Sequence, residues 1–292
     1  MKSLALTLSA TTALGLASAA SASPYNDLVL AGNPISYYTF DGNADDAGSG
    51  DNDGTVVGAT SAFPTTGGFQ TQPPAGTGID LGPYYSDNSG QGDYISLGSS
   101  TAGSLVDDLL GASAITVEFW IDFASLDGTT SNIVFLPNGN NSAAIGIQAQ
   151  GGNTDRIRIT GRSGDSGSFL SSSFATSPTA GDTYFVGIYD YANDQFRIFL
   201  DGEEVDLNGA AAGNAQTAGF AQNTFTPSLN GDEIFIGRSA AGDFVGDIDE
   251  LAFYDRALTA AEISARYTAV PEPGAMALLG LGGLCMLARR GK

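Results

Sequence analysis

Residues 115–123 read ITVEFWIDF, with an apolar residue at every second position. Ile115, Val117, Phe119, Ile121 and Phe123 form one side, and Thr116, Glu118, Trp120 and Asp122 the other. A period of two marks a strand, because successive side chains leave it on opposite faces. Shorter runs of the same kind recur at 35–40, 93–97, 133–136, 144–148, 156–160 and 233–237, with weaker ones at 56–57 and 79–81. Residues 184–191 and 195–200 predict a hairpin across Ala192, Asn193 and Asp194, and Asp201-Gly202 predicts a second turn into 203–207. Gly, Asn, Asp and Ser separate the runs, and Gly alone occurs 40 times. Many short strands punctuated in this way predict an all-β sandwich or barrel. Residues 105–110 predict one helical turn, and 209–219 a loop of small residues.

The stretch 237–267 carries the most local information. Plain alternation over 247–254 sends Ile248, Glu250, Ala252 and Tyr254 one way and Asp247, Asp249, Leu251 and Phe253 the other. Asp249 would then sit beside two large apolar side chains. A carboxylate there needs hydrogen bonds or a cation, since burying it bare is costly. Thr259 followed by Glu262 is a capping box, so a short helix is expected to start there.

Both ends read as address segments. Residues 1–22 hold Lys2, an apolar run over 4–16 and a small-residue close at Ala20, Ser21 and Ala22, which predicts a secretory signal peptide cleaved after Ala22. Residues 270–292 read as a break at Pro271 and Pro273, an apolar run over 275–288, and a basic end of Arg289, Arg290 and Lys292. That run is shorter than the about 20 residues of a comfortable spanning helix. The segment between, 23–269, is expected to be one domain.

The chain carries 11 basic and 32 acidic residues and no histidine, for a net charge of −21. Its two lysines, Lys2 and Lys292, lie in the end segments, so arginine is the only cation of the body. Such a surface repels nucleic acid and anionic lipid. The single cysteine, Cys285, lies in the tail, so the body has no internal disulfide. Histidine catalysis and His- or Cys-ligated zinc are excluded from the body.

The C-terminal segment, with Pro271-Glu272-Pro273, the apolar run and the arginine cluster in that order, resembles the PEP-CTERM sorting signal of Gram-negative bacteria. The resemblance implies an exosortase as a partner during export, membrane contact only through the tail before processing, and residence at the outer surface or in the exopolysaccharide matrix. The body resembles the laminin G-like, concanavalin A-like jelly-roll family. The phrases that carry this are YYTFDGNADD, GDYISLG, ITVEFWIDF, TYFVGIYDYANDQFRIFLDGEEV, EIFIGRS and GDIDELAFYDRALTAAEISARY. It implies an all-β, two-sheet antiparallel jelly-roll sandwich with one short C-terminal helix.

The same resemblance implies a structural calcium ion between the loop after the first strand and the late Gly-x-Ile-Asp-Glu strand. Carried onto this chain, the ligands are Asp41, Asn43 and Asp249, with Asp45 and Asp247 as weaker candidates. Weaker sugar-contact candidates are Trp120, flanked by Glu118 and Asp122, and the loop residues Tyr84, Tyr85 and Asn88. The acids at Asp247, Asp249 and Glu250 lack the spacing of a glycosidase strand, and no enzymatic activity is expected. The expected function is a calcium-stabilised, lectin-like module for extracellular polysaccharide. The alternatives are a structural or adhesion module that binds a surface protein without a sugar site and, after it, a glycoside hydrolase.

Overall fold

The computed structural model describes residues 24–58, 63, 85–87, 94–123, 130–140, 142–150, 156–166, 170–173, 182–205, 207, 216–238 and 246–269. The signal segment, the strand expected at 79–81 and the tail from 270 onward lie outside them. In chain order the elements are α1 (Pro24–Ala31), β1 (Ser36–Tyr38), β2 (Thr55–Val57), β3 (Tyr85–Asp87), β4 (Tyr94–Ser99), α2 (Leu105–Asp108), β5 (Ala114–Phe123) and β6 (Thr130–Pro137). Then come β7 (Ala143–Gln150), β8 (Arg156–Gly161), β9 (Leu170–Ser173), β10 (Thr183–Asp190), β11 (Gln195–Leu200) and β12 (Glu203–Glu204). The last are β13 (Gln216–Thr217), β14 (Glu233–Ile236), β15 (Gly246–Tyr254) and α3 (Ala260–Tyr267).

Among the described residues these strands form two antiparallel sheets. Sheet A runs β1-β15-β5-β10-β11-β12, with β3 also on β15 and β13 also on β11. Sheet B runs β2-β4-β14-β6-β7-β8-β9. The sheets pack face to face over one core, as the jelly-roll expectation requires. Val117, Phe119 and Ile121 of β5 meet Ile145, Ile147, Ile157 and Ile159 of sheet B there, all buried. Phe119 stacks on Phe185 with ring centroids 4.9 Å apart.

A second apolar layer lies on the outer side of sheet A, beneath α1 and α3. It holds Tyr25, Val29, Tyr37, Trp120, Tyr184, Val186, Ala252, Tyr254 and Ile263. The helix α1 was not expected from the sequence. Tyr25 and Val29, four residues apart, point the same way into this layer and are fully buried. An eight-residue helix is marginal by itself, so tertiary packing supplies its stability. The capping box of α3 forms as expected, with Thr259 and Glu262 bonding reciprocally.

Three local expectations change. The strand expected over 203–207 keeps only Glu203–Glu204 in the ladder. Gln216–Thr217, read as part of a loop, pairs with β11. Tyr85–Asp87, also read as loop, pairs with Gly246, Asp247 and Ile248.

The largest correction falls on β15. Its register on β5 shifts between Asp249 and Ala252, where three steps along β15 match two along β5. Glu250 occupies the left-handed region at φ 54°. This is a β-bulge, and it resets the alternation. Ile248, Leu251 and Phe253 face the core between the sheets. Asp249, paired with Trp120, lies on the outer side with Ala252 and Tyr254, not beside Leu251 and Phe253.

Candidate functional site

The outer side of sheet A collects the acids the sequence singles out, but it is closed. Glu118, Asp249 and Glu250 are all fully buried there. Glu118 accepts hydrogen bonds from the hydroxyls of Tyr184 and Tyr254, each at 2.5 Å, and pairs with the Arg266 guanidinium at 3.3 Å. Burial, then the nearby Glu118 charge, pushes the Tyr184 and Tyr254 hydroxyls well above the ordinary phenol pKa, so both stay phenols and donate. Tyr37 donates to Glu250. Burial pushes the Glu250 carboxyl well above the ordinary carboxylate range. The bond from Tyr37 opposes the rise, and Asp41 and Glu118 add to it. Three tyrosines and one arginine thus hold two carboxyl groups, Glu118 and Glu250, beneath α1 and α3.

Trp120 belongs to this sealed layer. Its ring stacks on Tyr184 at 5.2 Å and Tyr267 at 6.1 Å, meets Tyr25 edge-on at 6.4 Å, and has no exposed surface. It is a packing residue, and the expectation of a sugar contact there is corrected. Tyr84 and Asn88 lie outside the described residues. Tyr85 places its backbone in β3 at the edge of sheet A.

The calcium trio is spread between surface and interior. Asp41 and Asn43 are exposed, whereas Asp249 is fully buried, with one carboxylate oxygen accepting the Glu250 N–H at 3.0 Å. The Asn43 amide donates to Asp45 at 2.6 Å. Their acidic loop is organised instead by Asp46. Its carboxylate accepts backbone N–H groups of Tyr37 and Gly48 at 2.7 Å each and of Asn52 at 2.9 Å. Among the described residues, no group of three acidic, histidine or cysteine side chains is gathered to hold a metal. Calcium takes six to eight oxygens; Asp41 and Asn43 would offer theirs from the surface, and Asp249 has one oxygen already taken by the Glu250 N–H.

The outer side of sheet B presents a different surface. Register places Phe135 opposite Phe235, and Phe235 opposite Ser96. The two Phe rings stack at 4.7 Å, and Tyr94 meets Phe235 edge-on at 6.3 Å. The Arg238 guanidinium lies 4.7 Å over the Tyr94 ring and 5.4 Å over Phe235, and it pairs with Glu233. Tyr94 also donates to Glu233 at 3.0 Å. Beside these rings runs a polar row from neighbouring strands, since Asn132 pairs with Gln148 and Gln148 with Arg158. Gln148 donates to Asn132 at 2.7 Å and accepts from Arg158 at 2.7 Å. Tyr94, Asn132, Phe135, Gln148, Arg158, Glu233, Phe235 and Arg238 are all partly solvent-exposed.

Partly exposed rings flanked by oriented amides, a guanidinium and a carboxylate can stack on an apolar ligand face while exchanging hydrogen bonds at its edge. The sequence hinted at this face only through the alternation within β4, β6, β7, β8 and β14. No motif marks it, because its residues come from five strands and meet only through register.

Residues 89–264 match the family model described as the concanavalin A-like lectin/glucanases superfamily, and residues 269–292 match the PEP-CTERM protein-sorting motif. No curated protein matches the chain. Among solved structures, domain 4 of the extracellular arabinanase AbnA from Geobacillus stearothermophilus, in complex with arabinotriose, is 18% identical. The match covers 80% of this chain and 98% of that one at a TM-score of 0.51. The receptor-binding domain of botulinum neurotoxin C/D mosaic serotype is 13% identical, covering 80% of this chain and 51% of that one at 0.55. A mutant Trypanosoma rangeli sialidase displaying trans-sialidase activity is 15% identical, covering 86% and 36% at 0.53. At these identities the likeness is one of fold.

Proposed function

The chain belongs to the concanavalin A-like lectin/glucanases superfamily, and on that premise we propose that it is an exported binding protein that holds extracellular polysaccharide on the outer side of sheet B. The observation that carries this reading is the contrast between the two outer surfaces. Sheet A is sealed by α1 and α3 over Trp120, whereas sheet B keeps Tyr94, Phe135 and Phe235 partly exposed beside the row Asn132, Gln148 and Arg158. The arabinanase domain of the same fold was solved with arabinotriose, which makes an oligosaccharide the first ligand class to try. The sorting motif supports export to the surface or beyond it, where such a ligand is met.

The reading contains no hydrolytic step. Asp249 and Glu250 are fully buried, so a glycosidic bond has no access to them. It needs no cation either, and the calcium question is tested separately below.

The test is retention of the purified protein on a glycan array and in gels cast with the host's own polysaccharide. Phe235→Ala and Gln148→Ala are each expected to abolish retention while leaving the unfolding midpoint near that of the parent. Retention unchanged in both variants would sink the proposal. Capture of a surface protein with no glycan retained would favour the adhesion alternative.

A further inference from the structure

The strongest unassigned surface is the helical layer on sheet A. Among the described residues the exposed large hydrophobics are Leu28, Leu30 and Leu110, and two of the three lie on α1, 38% and 40% exposed. Leu28 and Ala31 also line a shallow, largely apolar cleft of about 320 Å3 with Gly32, Ala261, Ala265 and the charged residues Glu262 and Arg266. On a chain with net charge −21 this face is close to charge-balanced, its acids matched by the arginines Arg256 and Arg266. Asp27 is exposed on α1, and Glu262 is paired with Arg256 at 2.7 Å.

The patch lies where the chain leaves the domain. Arg266, in the last turn of α3, donates to the Leu28 carbonyl at 3.4 Å, and Arg256 donates to the Gly32 carbonyl at 3.1 Å. Ala269, three residues beyond Arg266, is buried in the same layer. From Ala269 the apolar run of the sorting motif starts at Ala275. Six residues of chain span at most about 20 Å. An apolar run entering a bilayer therefore holds this end of the domain within about 20 Å of the lipid.

We propose that the α1–α3 face, flanked on α1 by Leu28 on the cleft side and Leu30 on the other, is the bilayer-facing side of the protein while its sorting tail is membrane-inserted, so that sheet B points away from the membrane. The partner is a bilayer whose zwitterionic headgroups carry no net charge, because the acidic body repels anionic ones. Leu28 and Leu30 reach the headgroup boundary as the apolar edge of an interfacial helix does.

The experiment uses residues 23–292, the chain left after signal cleavage, with Cys285→Ser, reconstituted into phosphatidylcholine–phosphatidylethanolamine vesicles and recovered by flotation. Single cysteines at Leu28, Leu30 or the exposed Thr55 of β2 carry an environment-sensitive fluorophore. Labels at 28 and 30 are expected to be several-fold more quenched by nitroxide lipids, and several-fold less by aqueous iodide, than the label at 55. Equal quenching at all three sites in floated vesicles would overturn the orientation. So would iodide protection at 28 and 30 without lipid quenching, which would point to a second copy of the chain. Failure of the chain to float would overturn tail insertion and the orientation with it.

Discussion

Tyr189 of sheet A is hydrogen-bonded through its hydroxyl to the backbone of Gly146 in sheet B, across the full depth of the core. The hydroxyl oxygen lies 3.0 Å from the Gly146 carbonyl, 3.0 Å from the Thr160 carbonyl and 3.2 Å from the Gly146 N–H. It ties β7 to β8 from inside, two residues before Gln148 and two after Arg158 on the proposed binding face.

Tyr189→Phe is therefore expected to destabilise the domain by about 1–3 kcal/mol, since buried backbone groups lose a partner that water cannot replace. Denaturant unfolding measures this. A midpoint equal to the parent's would show that the crossing bond contributes nothing.

Arg266 and Glu118 form a buried pair, exposed by 2% and 0%. Arg266→Met is expected to cost about 3–5 kcal/mol, because breaking a buried pair leaves its other charge uncompensated. Adding Glu118→Gln removes that charge and is expected to recover part of the loss. A double variant no more stable than Arg266→Met would contradict this account.

Stability should depend on pH through Glu250. Its folded-state value is raised, so its contribution is complete below the ordinary carboxylate range and is lost as pH rises toward the folded value. Glu250→Gln is expected to flatten that part of the profile and to raise the midpoint at neutral pH. Glu262 behaves oppositely. The Arg256 hydrogen bond, with further bonds from Thr259, holds it at about 2, so its contribution is present above the ordinary value and fades as pH falls toward 2. Melting curves of Glu250→Gln and Glu262→Gln against pH separate the two, and identical slopes in parent and variants would refute both assignments.

Chelation is expected to leave the melting midpoint unmoved. The loop after β1 is folded on the three backbone contacts of Asp46, while Asp41 and Asn43 are exposed. A fall in chelator, restored by calcium and absent in Asp249→Ala, would instead put a cation at that trio.

The strands were legible wherever one face was apolar and the next polar. Residues 115–123 show this, as does the hairpin of β10 and β11, because period two is written locally. The capping box at Thr259 and Glu262 was equally legible, since its partners are three residues apart. The helix α1 left only the spacing of Tyr25 and Val29 as a signal, too short to separate from a loop.

The candidate site was far less legible. Trp120 shows the same alternation whether its face meets water or a helix layer, and only the docking of α1 and α3 makes it a packing residue. The bulge at Glu250 has no marker such as glycine, so simple alternation placed Asp249 on the wrong side of β15. Phe135 and Phe235 are 100 residues apart and touch only because β14 lies between β4 and β6.

The sequence by itself determined the all-β class, the short capped helix, the sorting segment and the absence of histidine chemistry. Each depends on residue type or on spacing within one element. The tertiary structure alone decided which sheet surface stays open, which carboxylates are buried, and where the chain exits relative to the rings of sheet B. Those properties depend on contacts between segments far apart in the chain, whose free energy comes from burial and register and is not encoded in any local pattern.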